Sequence, residues 1–232
     1  MKIKVAQCWD DGVYTDIRLI GILRQYGAKA TFNLMPGRAP EVTTAPHWAK
    51  ITDAPGGYKG FCSGKIAISD YKRIYSGFKV ASHNWMHEVA GKVPDDVFIE
   101  AAIHARKFLE DLFEMECPGF AWPCGGTTPE TAKLLREAGF AYGRTTQYAE
   151  DVRKCADPLT LNSNCHFQDR NFMTRYNQVK ETGGVFYFWG HSYEMLDCEG
   201  LWDQLEQKIR YISNDPDAEW CDVIDLVPLC HA

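Results

Sequence analysis

The chain has 232 residues, of which 45% are hydrophobic and 24% are charged, proportions typical of a soluble globular domain. Its formal net charge of −6 provides no overall basic field, which argues against binding to nucleic acid or to an anionic membrane surface. No apolar run approaches the ~18 residues of a transmembrane helix.

The N-terminus and the cysteines bear on the cellular compartment. Residues 1–9 are too few and too polar for a signal peptide and are typical of a first strand. The nine cysteines are an odd number and include no CxxC pair, which favours reduced thiols in a cytoplasmic protein. The sequence does not indicate an oligomeric state.

The first half of the chain alternates short β-type runs with helical patterns. The predicted elements are a strand at 3–9, a helix at 17–23, and strands at 28–34 and 78–82, followed by a helix at 94–114. Residues 38–65 are rich in Gly, Pro and Thr, which indicates a long surface loop.

The second half continues the alternation. The predicted elements are a strand at 119–122, a helix at 129–138, a strand at 140–145, a helix at 168–181, a strand at 185–190, a helix at 201–213 and a last strand at 221–226. A strand followed by a helix, repeated about seven times, is typical of a parallel sheet. We expect a single α/β domain over residues 1–232, a (β/α) barrel, with an open doubly wound sheet as the alternative.

Two adjacent carboxylates, Asp10 and Asp11, follow the first predicted strand directly. In parallel sheets the carboxyl ends of the strands carry the chemistry. Neighbouring carboxylates repel each other unless a cation or hydrogen bonds compensate. The pair therefore indicates a cation site, and the alternative is a turn with an N-cap for the helix that follows.

Two histidines, His83 and His87, follow the third predicted strand. On one helical turn this spacing would place both imidazoles on the same face, as two ligands of one ion. Asn84 stands where the zinc proteases carry their general-base glutamate. Together with the aspartates, the histidines predict an Asp/His/His metal site that leaves Asp10 free as a base.

A further histidine, His191, ends a late predicted strand. Beside a hydrolytic metal site it is placed to act as the general acid that protonates a leaving group. The alternative is a structural histidine.

These segments resemble the motifs of the polysaccharide deacetylase family, the chitin-deacetylase-like metal-dependent hydrolases. Residues 8–12, Cys-Trp-Asp-Asp-Gly, are similar to the family's T-F-D-D-G motif, and residues 83–87 are similar to H-[ST]-x-x-H. Residues 121–125, Ala-Trp-Pro-Cys-Gly, are similar to R-x-P-x-G, and His191 stands where the late L-x-H motif belongs. The resemblance spans residues 2–226 and implies a distorted (β/α)7 TIM-like barrel.

The resemblance also implies a role for each motif residue. Asp10 would be the general base, His191 the general acid, and Asp11, His83 and His87 the ligands of one divalent metal ion. That ion would be Zn²⁺, with Co²⁺, Mn²⁺, Fe²⁺ or Ni²⁺ as alternatives. The implied reaction hydrolyses an acetyl group: Asp10 takes a proton from water beside the Lewis-acidic metal, and His191 protonates the departing amine.

Two positions depart from the family pattern. The third motif of the family begins with an arginine that orients the catalytic aspartate, but this chain has Ala121 there. We expect Arg144, at another strand end, to supply the missing charge, and the alternative is an ordinary surface ion pair. The aspartate that orients the late histidine has no obvious counterpart, and Glu194 is the candidate.

The substrate groove is predicted from the residues that adjoin these motifs. It would contain Trp85, Trp122, Pro123, Cys124 and Gly125. Indole faces stack on sugar rings, although tryptophans also cover barrel cores. The loops at 38–65 and 146–167, which carry His47, Trp48 and His166, would shape the groove.

The predicted function is metal-dependent removal of acetyl groups from an N- or O-acetylated sugar or polysaccharide. The absence of a recognisable export signal favours an intracellular glycan, a precursor or a small amide as the substrate. One alternative is an amidohydrolase acting on a C–N bond of a ureide or cyclic imide. The other is a non-catalytic glycan-binding relative, a hypothesis that Ala121 keeps open.

Overall fold

The structure, a computed structural model, describes residues 2–48 and 61–230. Residues 49–60, inside the predicted loop at 38–65, lie outside the described residues. No helix in the described parts of the chain is long and apolar enough to cross a bilayer.

Short strands alternate with helices along the chain. The strands are β1 (Ile3–Asp10), β2 (Thr31–Leu34), β3 (His47–Trp48), β4 (Phe61–Cys62), β5 (Lys79–Ser82), β6 (Gly119–Ala121), β7 (Tyr142–Tyr148), β8 (Leu161–Ser163), β9 (Cys165–His166), β10 (Val185–Gly190) and β11 (Ala218–Trp220). The helices are α1 (Asp16–Gln25), α2 (Ile68–Ile74), α3 (Asp95–Phe113), α4 (Pro129–Glu137), α5 (Phe172–Thr182) and α6 (Leu201–Ser213).

Within the described residues, the main sheet has nine parallel strands and nearly closes into a barrel. Its order is β8-β7-β6-β5-β2-β1-β10-β9, with β11 paired to the start of β1. Only Asn164 separates β8 from β9, the two ends of this order. The Asn164 N–H donates to the Tyr187 carbonyl in β10, and its Oδ1 accepts from the Tyr187 N–H, both at 2.7 Å. The predicted TIM-like barrel is therefore confirmed, and the open sheet is not formed.

The helices cover the barrel because each presents an apolar stripe to it. In α3 the buried residues Phe98, Ala102, Ala105 and Leu109 recur at helical spacing, and two aspartates in the first turn complement the helix dipole. Strand β1 is buried along almost its whole length, since it pairs with β2 and β10 on either side. This arrangement places the end of β1 at the centre of the carboxyl-terminal rim.

The predicted last strand at 221–226 is wrong. The chain instead forms a 3₁₀ segment at Val223–Leu229, and the strand β11 lies earlier, at Ala218–Trp220. Asp222 and Asp225 exchange capping contacts at the start of the 3₁₀ segment. The apolar residues Val223 and Leu226 are buried at a spacing of three, the period of a 3₁₀ turn.

Candidate active site

A cavity of about 640 Å³ opens at the carboxyl-terminal rim of the barrel. The ends of five strands contribute residues to its wall. These are Asp10 and Asp11 after β1, His83 and His87 after β5, Trp122 and Cys124 after β6, Arg144 and Thr146 in β7, and Trp189 and His191 at the end of β10. The hairpin of β3 and β4 adds His47, Phe61 and Cys62.

Asp10, the last residue of β1, is 2% exposed and is held from two sides. The Arg144 guanidinium donates to its Oδ2, and the Asn33 amide donates to its Oδ1 at 2.6 Å. Burial alone would raise the pKa of Asp10, but the charge of Arg144, followed by that of His83, holds it well below its usual value. Asp10 is therefore a fixed carboxylate.

Asp11 begins a tight turn out of β1, with φ of 86° at Asp11 and 61° at Gly12. Its N–H donates to the Asn33 carbonyl at 3.0 Å, and the Lys65 ammonium donates to its carbonyl at 2.7 Å. Burial opposes ionisation of Asp11, but Lys65 and then His191 keep its pKa below the usual value. This turn aims the Asp11 carboxylate into the cavity, separately from that of Asp10.

His83 and His87 do not share a helical turn, and that prediction is wrong. The segment is an irregular loop in which Asn84 and His87 have positive φ, 64° and 68°. Asn84 stabilises it, because its side chain accepts from the Trp85 N–H and donates to the Glu88 carbonyl. The loop nevertheless brings the two imidazoles together, with ring centroids 4.8 Å apart.

The protonation of His83 can be read from its contacts. Its Nδ1 lies 2.8 Å from the Ala121 carbonyl, which can only accept, so Nδ1 carries the proton. The lone pair of Nε2 then faces the Asp11 Oδ1 at 3.7 Å. Burial lowers the pKa of His83 and lowers that of His87 to about 4. Both rings are thus neutral at physiological pH, as metal ligation requires.

These residues fit a divalent metal ion. The ligand atoms of Asp11, His83 and His87 all lie within 4.8 Å of one another. One carboxylate and two imidazoles are a common donor set for catalytic zinc. The Ala121 carbonyl fixes the orientation of His83, the outer contact typical of metal-bound histidines.

His191 faces Asp10 from the end of β10, with its Nε2 3.8 Å from the Asp10 Oδ2. The His191 Nδ1 lies 3.5 Å from the Glu194 carboxylate. The backbone N–H of His191 donates to that carboxylate at 3.0 Å. Glu194 also contacts the His166 Nε2 at 3.0 Å. The structure therefore places Glu194 beside His191, the position expected for its orienting residue.

The charges of this group favour a protonated His191. Burial would lower its pKa, but the contact with Glu194, followed by the charges of Asp11 and Asp10, raises it to about 9. Burial would raise the pKa of Glu194, but His166 and His191 lower it to about 2. The two therefore form an imidazolium–carboxylate pair at neutral pH.

Only some of the residues predicted to form the substrate groove line the cavity. Trp122 is 0% exposed and stacks on Phe98 of α3, so neither indole face is open to a ligand. Trp85 packs against His104 and Phe108 of α3 and is not among the residues of the cavity wall. Of the motif residues at 123–125, only Cys124 reaches the wall.

Trp189, from the end of β10, is another aromatic residue of the cavity wall. Its ring lies 4.6 Å from the Arg144 guanidinium carbon. Of the residues named in the predicted loops, His47 lines the cavity, whereas Trp48 is 76% exposed and His166 lies behind Glu194.

Sequence reasoning missed Asn33 and Lys65. Asn33 holds Asp10 because it is the Cα partner of Asp10 in the pairing of β1 with β2. A polar residue near the end of a predicted buried strand was the available signal for Asn33. Lys65 comes from the loop at 38–65, and no local pattern marks it.

Comparison with known proteins gives one family and a set of similar folds. The sequence profile described as polysaccharide deacetylase matches residues 1–143. No protein with a curated description matches the sequence.

Among solved structures, a Mycobacterium smegmatis protein assigned to the polysaccharide deacetylases is 17% identical, with a TM-score of 0.66 over 98% of this chain and 89% of that one. The peptidoglycan deacetylase of Bacillus subtilis is 15% identical, with a TM-score of 0.58 over 98% and 91%.

A Streptococcus pyogenes deacetylase in complex with acetate is 19% identical, with a TM-score of 0.52. That match covers 67% of this chain and 61% of the streptococcal protein, less than two thirds of its length. At these identities the likeness shows a shared fold.

Proposed function

The chain belongs to the polysaccharide deacetylase family, and from this premise we propose that it is a metal-dependent hydrolase that removes acetyl groups from an N- or O-acetylated sugar or polysaccharide. In this proposal Asp11, His83 and His87 hold one divalent ion, Zn²⁺ being the first candidate. Asp10 is the base and His191 is the acid.

The contact between His83 and Asp11 is the observation that carries the proposal. A lone pair on the His83 Nε2 faces a carboxylate oxygen at 3.7 Å in a largely buried setting. Two electron-rich atoms at this distance repel each other unless a cation lies between them. His87 supplies a third donor to the same point.

The residues around this point can perform acyl hydrolysis. The metal, when bound, supplies Lewis acidity toward the acyl oxygen. Asp10, kept ionised by Arg144 and oriented by Asn33, takes a proton from the attacking water. His191, protonated because of Glu194, delivers a proton to the departing amine or alcohol. The short separation of Asp10 and His191, 3.8 Å, lets both serve one reacting group.

Two relatives support the choice of an acetylated sugar. The Bacillus subtilis structure is that of a peptidoglycan deacetylase, and the streptococcal deacetylase is in complex with acetate. The base, the acid and the cation site described above suit the hydrolysis of an acetamide or an acetyl ester.

Metal content is the first experiment. After incubation with Zn²⁺ and removal of unbound ion, elemental mass spectrometry is expected to find about one ion per wild-type chain. Asp11→Asn should lose most of it, and the exposed control Asp111→Asn should keep it. A wild-type chain that takes up no Zn²⁺ or Co²⁺ would contradict the proposal.

Released acetate is the second readout, measured with N-acetylated sugar oligomers, acetyl esters and small amides. Asp10→Asn is expected to keep the metal and lose turnover. A chain that binds the metal and the sugar but releases no acetate would favour the glycan-binding alternative. Turnover confined to the amides would favour the amidohydrolase.

A further inference from the structure

Among the described residues of the cavity wall, cationic side chains outnumber carboxylates, although the whole chain has a net charge of −6. Histidines aside, the wall side chains that are charged near neutral pH are the carboxylates Asp10 and Asp11 and the cations Arg38, Lys65 and Arg144. A divalent ion would increase the excess. Charge of one sign in a concave site attracts ligands of the opposite sign.

Neither carboxylate forms an ion pair with Lys65 or Arg38. Asp10 is paired with Arg144, and Asp11 faces His83 and the metal position. Lys65 donates to the backbone carbonyl of Asp11, which is a neutral acceptor. The Lys65 charge thus acts on Asp11 at a distance, lowering the pKa of that carboxylate, without a direct ion pair.

Arg38 is the other cation, and the fold fixes its position. It ends the 3₁₀ turn Pro36–Arg38 that follows β2. The Gly37 N–H donates to the Trp85 carbonyl at 3.0 Å. A Cβ on Gly37 would lie 2.5 Å from the Trp85 Nε1, so the turn packs directly against the loop that carries His83 and His87.

Arg38 is exposed at the cavity, and no carboxylate in the described parts of the chain forms an ion pair with it. The Arg38 charge acts on other residues of the site. Burial is the main cause of the lowered pKa of His87 and of Lys65, and the positive charge of Arg38 lowers both further. Within the described residues, the cavity wall thus presents a guanidinium that no carboxylate pairs with, and its N–H donors face the cavity.

We propose that the site takes acetylated substrates that carry an anionic group, a carboxylate or a phosphate, and that Arg38 binds this group while the acetyl group lies at Asp10 and His191. The inference rests on the proposed function and names its substrate class. A guanidinium offers paired N–H donors that match the oxygens of either anion. Lys65 adds to the attraction through its charge.

The test measures binding of deacetylated sugars, which the enzyme cannot turn over. The probes are glucosamine, glucosamine 6-phosphate and muramic acid, which share the amine and differ in the anionic group. Calorimetry on Zn²⁺-loaded wild type is expected to find one of the two anionic sugars bound about tenfold or more tightly than glucosamine. The sugar that binds more tightly shows whether the anionic group recognised by the site is a phosphate or a carboxylate.

Arg38→Gln should abolish this preference, and Arg170→Gln, at an exposed arginine outside the cavity wall, should keep it. The preference should also shrink when KCl rises from about 0.05 to 0.5 M, since salt screens exposed charges. An anion that only coordinates the metal would bind Arg38→Gln as tightly as wild type, and this result would overturn the role of Arg38.

Equal binding of all three sugars to the wild type would overturn the proposed substrate class. Metal uptake and acetate release are measured separately, so this failure would leave the proposed hydrolase intact. Failure of metal uptake, in contrast, would contradict the proposed metal-dependent hydrolase activity.

Discussion

Asp10 and Arg144 form an ion pair between the end of β1 and β7, with both side chains almost fully buried, at 2% and 1% exposed. A buried carboxylate that loses its partner retains its desolvation cost without compensation, and such losses commonly amount to about 3–5 kcal/mol. The same pair keeps Asp10 ionised and oriented. Arg144 therefore serves both stability and the proposed base.

Arg144→Ala is expected to lower the free energy of unfolding by about 3–5 kcal/mol and kcat by at least about tenfold. Metal content should stay at the wild-type level, because Arg144 contacts Asp10 and not the metal ligands. Urea unfolding, elemental analysis and acetate release check the three parts. The control Arg136→Ala removes an exposed ion pair with Asp157 and should cost less than about 1 kcal/mol. Loss of metal from Arg144→Ala would contradict this assignment.

Glu194→Gln is expected to move the alkaline limb of kcat/KM to lower pH. Glu194 raises the pKa of His191, so its neutralisation lowers that pKa and leaves less of the protonated acid at high pH. A pH–rate profile of the metal-loaded enzyme measures the shift. Glu199→Gln, at an exposed position nearby in sequence, is the control. An unchanged alkaline limb would show that Glu194 does not tune His191.

The proposed catalytic residues could be found from the sequence because each lies in a short contiguous pattern at a predicted strand end. The partners Asn33 and His166 could not, since they come from distant parts of the chain, whereas Glu194 lies only three residues from His191 and was named as its candidate. Asn33 meets Asp10 through strand register, and His166 meets Glu194 across β9 and β10. Arg144 was predicted only because the resemblance left a charge missing at Ala121.

At the scale of elements, the loop at His83–His87 and the turn Pro36–Arg38 form one packed unit. The His83 N–H donates to the Leu34 carbonyl at 2.9 Å, and the Gly37 N–H donates to the Trp85 carbonyl. Trp85, predicted to bind substrate, packs in this unit between Gly37 and α3. Its indole therefore supports the histidine loop.

Gly37→Ala is expected to lower stability by about 1–3 kcal/mol and to weaken metal binding. The added Cβ would lie 2.5–2.6 Å from atoms of Trp85 and Met86 and would push the histidine loop. Gly21→Ala is the matched control, because nothing lies within 4 Å of its added Cβ in α1, and it should be neutral or stabilising. Thermal unfolding and metal titration are the measurements. Equal behaviour of the two variants would contradict the packing argument.

Long amphipathic helices were predicted well, as were several short strands, but α2 and β11 were missed. Helices α3 and α6 follow their apolar periodicity closely. Helix α2 has only seven residues, and β11 has three, too few to show a period. Such elements depend on tertiary pairing, as β11 does on the start of β1.

At the scale of the whole molecule, a buried carboxylate links three distant parts of the chain. Asp16, 0% exposed at the start of α1, accepts from the Tyr75 hydroxyl at 2.8 Å and from the Ser192 hydroxyl at 2.5 Å. Burial raises the pKa of Asp16 to about 7 even though both hydroxyls lower it. The folded protein therefore binds this proton more tightly than the unfolded chain does.

Global stability should consequently depend on pH through Asp16. Below about pH 4 both states hold the proton, and between about pH 4 and 7 only the folded state does, so stability falls as the pH rises. The full effect is roughly 4 kcal/mol. Asp16→Asn cannot ionise, so its stability relative to wild type should increase from pH 5 to pH 8 in urea unfolding. Asp111→Asn, an exposed control, should show no such trend, and a constant difference for Asp16→Asn would contradict the prediction.

The barrel itself could be predicted because repeated strand–helix alternation leaves few arrangements of a parallel sheet. Its closure could not, because it depends on Asn164 contacting β10 between two strands of three and two residues. No local pattern distinguishes such an asparagine from one in a turn.

Ala121 and Arg144 are Cα partners on β6 and β7. Partners on neighbouring parallel strands project to the same face of the sheet. An arginine at either position would therefore extend its guanidinium toward the space beside Asp10. A small residue at one position leaves room for the large one at the other. We therefore expect that an arginine at position 121, combined with a small residue at position 144, would re-form the ion pair with Asp10 from the neighbouring strand.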